Sequence, residues 1–285
     1  MAEEPSKVLP FIEHLVELRK RLIIIVVAVV VGMGFAWNLA DEILIFMEKP
    51  LTGTTYLDTA KQKGYLYLKE HYPAIYGRAN LEKELNKPKK QHSLNYTAPL
   101  EPFFIQCKIS VIAGFVLVLP IVFHQLWAFI APGLTRKERR LVVPFITVAT
   151  VAFCIGAMFF LTTIWPFIIN FSLSYETEGL RSWLSLSAYV DFCLRLILLF
   201  GLIAELPIIT LLLSRFGIVS YQFLAPKRKY ALLASSIVAA FHSDLVTMFV
   251  IMIPLYLMYE VSVWVALFFG KEKVSSPAEP EPDAV

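Results

Sequence analysis

The sequence predicts an all-α membrane protein with six transmembrane helices and both termini in the cytoplasm. Hydrophobic residues make up 57% of the 285 residues and charged residues only 17%, a balance that excludes an ordinary soluble globule. Uncharged runs long enough to cross a bilayer recur along the chain. Lysine and arginine concentrate in the short segments on one side of these runs, which is typical of the cytoplasmic side.

The N-terminal segment, residues 11–21, reads FIEHLVELRKR and leads into the first apolar run. Its leucines recur at helical spacing, while Glu13 and Glu17 share another face, which predicts a helix that enters the membrane from the cytoplasm. Glu17 either pairs with Arg21, four residues later, or binds a group from outside the chain. This segment alone favours the pair.

Six candidate spans follow from the apolar runs, at residues 22–40, 109–130, 141–169, 189–213, 230–243 and 245–269. The fifth is the shortest, because its apolar part ends before His242. About 12 helical residues cover roughly 18 Å, less than the hydrocarbon core of about 30 Å. This span therefore predicts local bilayer thinning or shelter by neighbouring helices.

The second and third spans are joined by a polar hairpin, residues 129–140, which reads FIAPGLTRKERR. Its four cations favour the cytoplasmic side, and they are Arg136, Lys137, Arg139 and Arg140. One carboxylate, Glu138, lies among them. This acid is either screened by its cationic neighbours or meets a positive group from outside the hairpin.

The remaining segments agree with this orientation. The N-terminal flank and the fourth-to-fifth segment are also basic, whereas the third-to-fourth segment has only Arg181 and the fifth-to-sixth has no lysine or arginine. The long first loop, 41–106, is lysine-rich, but long loops cross largely regardless of charge. Its basic stretch predicts a solvated helical hairpin, a partner-docking arm or a surface for anionic headgroups. The tail, 271–285, is rich in proline and acid, which predicts disorder.

Prolines interrupt most of the spans, at Pro120, Pro144, Pro166, Pro207 and Pro254. Each removes a backbone hydrogen bond and can bend its helix, so that several together would build a concave bundle. The alternative is that these prolines are simply tolerated, as they often are in membrane helices.

Three carboxylates lie within the spans: Asp191 near the start of the fourth, and Glu205 and Glu260 further inside. A charge at mid-helix costs about 2.5–3.5 kcal/mol on insertion scales. Glu205 is deep in the fourth span with its nearest cation, Arg195, ten residues away, which favours a functional role over a buried structural hydrogen bond. Glu260 is nearer the cytoplasmic end of the sixth span, where both interpretations stay open. An ion-coupled small-molecule transporter that uses Glu205 and Glu260 is the main alternative function.

Other chemistry finds little support in the sequence. HExxH, GxGD and P-loop motifs are missing, which argues against a protease or an ATPase. The three cysteines show no metal or disulfide spacing. We therefore expect no enzymatic activity, no cofactor and no metal.

Three stretches carry a family resemblance: HLVELRKRL at 14–22, QLWAFIAPGLTRKERRLVVP at 125–144 and the Glu-Leu-Pro of 205–207. They resemble the TatC family, the polytopic signal-recognising subunit of the twin-arginine protein translocase. The likeness runs from about His14 to Phe268, except for the first loop. It implies a glove-shaped bundle of six helices, and the lack of a transit segment favours a bacterial inner membrane.

The resemblance also implies a set of site residues. Those for binding the signal peptide are Glu17, Arg19, Phe129, Pro132 and Glu138. Carboxylates suit this role because a guanidinium pairs with them through two hydrogen bonds, whereas lysine lacks that geometry. Glu205 would serve a partner or signal-peptide helix, and Glu260 and Asp244 are further candidates. The prolines that the family commonly carries before Asp244 are missing here.

The implied partners are twin-arginine signal peptides of folded precursors, single-span TatA/TatB-like subunits and the lipid bilayer. Further copies of the chain would join a hetero-complex, and no nucleic acid is expected. Because no P-loop is present, the proton-motive force would drive export.

Overall fold

The structure, a computed structural model, describes residues 11–52, 56–73, 92–130, 142–177, 179, 181–240 and 245–269. These residues are mostly helical, which confirms the predicted all-α class. Their chain divides into two compact units, Met1–Gly201 and Leu202–Val285. The predicted disordered tail lies outside the described residues.

The first unit contains α1 (Phe11–Ala36), α2 (Ala40–Thr52), α3 (Tyr56–His71), α4 (Glu101–Leu117), α5 (Leu119–Ile130), α6 (Val142–Phe159), α7 (Trp165–Leu173) and most of α8 (Leu186–Ala204). A 3-10 turn, Trp37–Leu39, joins α1 to α2, and a π-helical turn, Phe160–Ile164, joins α6 to α7. Helices α2 and α3 and the start of α4 fall in the predicted first loop.

The second unit contains α9 (Leu206–Arg215), α10 (Tyr221–Leu224), α11 (Arg228–Ala240) and α12 (Leu245–Phe269). The sixth predicted span, 245–269, has the same ends as α12. Helix α11, with 13 residues, falls where the short fifth span was predicted, and it is not among the helices long enough to count as a span.

Several of these helices are long and apolar enough to cross a membrane. Four continuous stretches qualify by length and hydropathy among the described residues: Glu13–Thr52, Val142–Leu173, Leu186–Arg215 and Leu245–Phe269. The pair α4 and α5 makes a fifth if it is counted as one bent span. The chain is therefore a multi-pass membrane protein.

One of the predicted proline bends is present, and a second proline coincides with an interruption of its helix. Helices α4 and α5 meet at an angle of 58° around Val118, two residues before Pro120. Helices α8 and α9 are separated at Glu205, two residues before Pro207. Proline removes a hydrogen bond of the preceding turn and crowds its carbonyl, which opens the helix at that level. At Pro254, by contrast, α12 is continuous, so this proline is tolerated.

Helix α1 packs closely along α4 through two glycines. A β-carbon on Gly114 would lie 2.4 Å from the backbone nitrogen of Met33, and one on Gly32 would lie 2.7 Å from the carbonyl oxygen of Gly114. Small residues let the backbones of membrane helices approach each other. This contact sets the path of α1, which also runs beside α5.

A buried carbonyl ties α2 to α7 and α8. The backbone oxygen of Met47 accepts hydrogen bonds from Trp165 Nε1 at 3.0 Å and from the Tyr189 hydroxyl at 2.7 Å. The two aromatic rings also contact each other edge to face, with centroids 4.8 Å apart. Both polar ends are thereby satisfied in an apolar core, as buried tryptophan and tyrosine require.

Candidate functional site

The start of α1 and the end of α5 meet in a small polar and aromatic cluster. The rings of His14 and Phe129 stack with centroids 4.2 Å apart and planes 22° from parallel. About two turns further along α1, Arg21 Nη1 donates to Gln125 Oε1 at 3.4 Å. We call His14, Glu17, Arg21, Gln125 and Phe129 the α1–α5 patch.

Glu17 holds an arginine of its own chain within this patch. Arg21 donates to Glu17 Oε1 from Nε at 3.2 Å and also from Nη2. The i,i+4 pair that the sequence favoured is therefore confirmed. The Glu17 side chain is 23% exposed. Among the described residues no group donates to its second oxygen, Oε2, so a guanidinium from outside could bind there while Arg21 stays in place.

The other predicted members of the patch differ in how the structure places them. Arg19 is exposed on α1, two residues from Glu17. Phe129 is partly exposed and has one face against His14. Glu138, Pro132 and Asp244 lie outside the described residues. The structure thus places Glu17 on α1 and Phe129 on α5 in one patch, linked through His14 and through the Arg21–Gln125 hydrogen bond, and the second carboxylate stays a prediction.

His14 and Gln125 belong to the patch although the sequence did not single them out. His14 lies three residues before Glu17, and Gln125 lies four residues before Phe129. These spacings put each pair on one face of its helix. Helical spacing from the predicted site residues would have found both.

Glu205 lies at the break between α8 and α9 and is 3% exposed. Its backbone carbonyl accepts hydrogen bonds from Ile208 and Ile209, at 3.0 and 2.9 Å, so it occupies the N-cap position of α9. The partial positive charge of a helix N-terminus favours a carboxylate at this position. In this conformation a partner reaches the carboxylate only if neighbouring side chains move.

Glu260 is engaged in a structural contact of the second unit. Its carboxylate accepts Arg228 Nε at 2.9 Å and the Tyr256 hydroxyl at 2.9 Å, which links α12 to the start of α11. A carboxylate held in this way serves poorly as the coupling site of a transporter, because an ion would have to displace an arginine.

Comparison with known proteins relates the whole chain to one family. Residues 13–254 match the family model described as Sec-independent protein translocase protein (TatC). The TatC protein of Desulforapulum autotrophicum is 31% identical over 281 residues, covering 98% of this chain and 92% of the relative. That of Magnetococcus marinus is 33% identical over 274 residues, covering 95% and 88%.

A solved structure agrees with these relatives. The crystal structure of a twin-arginine translocase receptor, TatC, superposes with a TM-score of 0.68 at 28% sequence identity. The alignment covers 89% of this chain and 98% of that one. The α1–α5 patch and Glu205 fall within the region that the family model matches.

Proposed function

Because the chain belongs to the TatC family of the twin-arginine protein translocase, we propose that it binds twin-arginine signal peptides and starts the export of folded precursors. The proton-motive force drives this export. The observation that carries the proposal is the α1–α5 patch, in which the partly exposed carboxylate of Glu17 lies about one turn along α1 from the His14–Phe129 ring stack.

Glu17 reads one arginine of the signal peptide through its Oε2 atom. A guanidinium fits a carboxylate in a planar, two-bond geometry that an ammonium does not reproduce. Arg21 holds the carboxylate from the other side, so little side-chain freedom is lost when the peptide binds. Phe129 offers an apolar edge to the residues that follow the arginine pair.

Glu138 reads the second arginine from the polar hairpin, and Arg19 and Pro132 shape its surroundings. The chain near both acids is strongly basic, at Arg19, Lys20 and Arg21 and again at Arg136, Lys137, Arg139 and Arg140. A diffuse positive field repels a basic peptide. Binding must therefore come from the two specific carboxylates, which makes the arginine pair a requirement.

In the membrane the chain forms a glove-shaped bundle of six helices in the bacterial inner membrane, with both termini and the patch on the cytoplasmic side. Helix α11 is the short fifth span. Glu205 receives a polar group of a single-span TatA/TatB-like subunit or of the inserted signal helix, with Asp244 and Glu260 as supporting residues. Further copies assemble with these subunits, and the chain performs no enzymatic reaction.

The test is peptide binding to the full chain in nanodiscs, with a twin-arginine signal peptide and its twin-lysine counterpart. A charge-assisted hydrogen bond contributes about 1.5–3 kcal/mol, so Glu17→Gln should lower the affinity for the twin-arginine peptide roughly ten- to a hundredfold. Glu138→Gln should do the same. The matched control is Glu13→Gln, which removes an exposed acid one turn earlier on α1. An unchanged preference for arginine over lysine in both site variants would overturn the proposal.

A further inference from the structure

A groove of about 950 Å³ lies between α4 and α8, away from the α1–α5 patch. Residues at helical spacing form its two walls, among them Phe104, Lys108 and Ile112 on α4 and Asp191, Arg195 and Leu198 on α8. All lining residues belong to the first unit. Phe104 is exposed, so the groove is open to the surroundings of the helices.

The groove is lined by two cations, Lys108 and Arg195, and two acids, Asp191 and Glu101. Lys108 Nζ donates to both oxygens of Asp191, at 2.7 and 2.9 Å, which accounts for this pair. Arg195, one turn further along α8, is exposed, and in the part of the chain that the structure describes it forms no ion pair. An arginine within a membrane-spanning helix is expensive unless an anion or water meets it.

At the mouth of the groove, the Glu101 carboxylate accepts hydrogen bonds from the backbone of two segments. Glu101 Oε1 accepts the backbone N–H of Ser187 at 3.0 Å, while its Oε2 accepts that of Thr97 at 2.8 Å. Just before these helices, the backbone nitrogen of Asn95 donates to the carbonyl of Leu184 at 2.9 Å. The acid at the mouth is therefore committed to backbone groups, and Arg195 keeps its charge for a ligand.

The groove is more polar at its mouth and more apolar at its inner end, as a phospholipid is from its headgroup to its acyl chains. Serine, threonine and glutamate share the mouth with Ala98 and Leu100, the ionic residues lie further in, and Val111, Ile112 and Leu198 line the inner end. From Glu101 to Ile112 the α4 wall extends about 17 Å at 1.5 Å per residue, roughly half of a 30 Å hydrocarbon core. A partner helix needs a surface across the whole bilayer, whereas a lipid needs one leaflet.

We propose that this groove binds an anionic phospholipid of one leaflet. Its phosphate pairs with the Arg195 guanidinium, which reaches toward the mouth along its own aliphatic stem. One acyl chain follows the apolar wall past Phe104, Ile112 and Leu198. The bound lipid gives Arg195 an ion-pair partner and holds α4 against α8.

Native mass spectrometry of the full chain from nanodiscs tests this proposal, with phosphatidylglycerol and phosphatidylethanolamine of identical acyl chains as the probes. The parent protein should retain phosphatidylglycerol in preference to phosphatidylethanolamine. Arg195→Gln should lower the affinity for phosphatidylglycerol roughly tenfold, as expected for the loss of a charge-assisted hydrogen bond. Arg215→Gln is the control, because it removes the same charge at the end of α9 and does not line the groove. Equal retention in both variants overturns the proposal.

A second variant separates the groove from the charge. Leu198→Trp fills the inner end and keeps Arg195, so it should also displace phosphatidylglycerol, and soluble glycerol phosphate should fail to compete. A photo-crosslinker at Leu198 should capture lipid. Capture of a membrane-spanning subunit at this position, or displacement by glycerol phosphate alone, would contradict the lipid assignment.

Discussion

In the α1–α5 patch, the carboxylate of Glu17 is already paired with Arg21 before any ligand binds. Glu17 receives two hydrogen bonds from Arg21, and Arg21 in turn reaches Gln125 on α5. A carboxylate positioned in this way is pre-organised, which lowers the entropy lost on binding. In the proposed site, Arg21 would therefore act through Glu17 and through the position of α1 beside α5.

Arg21→Lys tests this positioning role. Lysine keeps the charge but offers a single point contact, so Glu17 should lose one hydrogen bond and its fixed orientation. We expect the affinity for a twin-arginine peptide in nanodiscs to fall about fivefold, corresponding to roughly 1 kcal/mol, with the preference for arginine over lysine retained. Tighter binding by the variant would show instead that Arg21 competes with the peptide for Glu17.

Glu205 makes a second prediction for a single residue. Glu205→Gln keeps hydrogen-bonding capacity in a buried position, whereas Glu205→Leu removes it, so export of a twin-arginine reporter should fall further in the leucine variant. Membrane insertion of both variants, measured by fractionation, is the control. Normal export by Glu205→Leu would leave this residue with a structural role.

At the level of residues, local contacts were predictable and distant ones were not. The Glu17–Arg21 pair follows from a spacing of four residues on a helix. The contact from Arg21 to Gln125 joins positions 104 residues apart. Only the fold brings such residues together, and for the same reason the stacking of His14 on Phe129 had no local signal.

Among the helices, the sequence predicted both ends of one span correctly and began another too late, because a lysine lies within that helix. The apolar run of 245–269 coincides with α12. The second predicted span starts immediately after Lys108, whereas α4 begins at Glu101. Lys108 is accommodated inside the helix because Asp191, 83 residues away, neutralises it. A span predicted from a run of uncharged residues is therefore shorter than the helix where a charged residue of that helix forms an ion pair with a distant one.

The packing of α1 on α4 gives a prediction for a helix pair. Gly32→Ala and Gly114→Ala place a methyl group against backbone atoms, and overpacking of this kind costs about 1–3 kcal/mol. Both variants should lower the melting temperature of the detergent-held protein. Gly34→Ala is the matched control on α1, because its β-carbon would meet nothing within 4 Å. Equal melting of Gly32→Ala and Gly34→Ala would contradict the close approach.

For the whole molecule, family membership and orientation depend on different signals. The family follows from long motifs at 14–22 and 125–144, which combine apolar and basic residues in a fixed order. The orientation follows only from where lysine and arginine are placed between the spans. The hairpin of residues 129–140 contributes to both, so its side of the membrane decides whether the proposed arginine readers face the signal peptide.

Cysteine labelling in intact cells tests that orientation. In a chain without Cys107, Cys154 and Cys193, new cysteines at Gly64 and Gly179 should react with a membrane-impermeant maleimide from outside the inner membrane. Both positions are suitable because an added β-carbon there meets nothing within 4 Å. A cysteine at Leu134 should react only after the membrane is opened, because the four cations that follow it favour the cytoplasmic side. Labelling of Leu134 in intact cells would place Glu138 on the periplasmic side, where a signal peptide that has not yet been exported does not reach it.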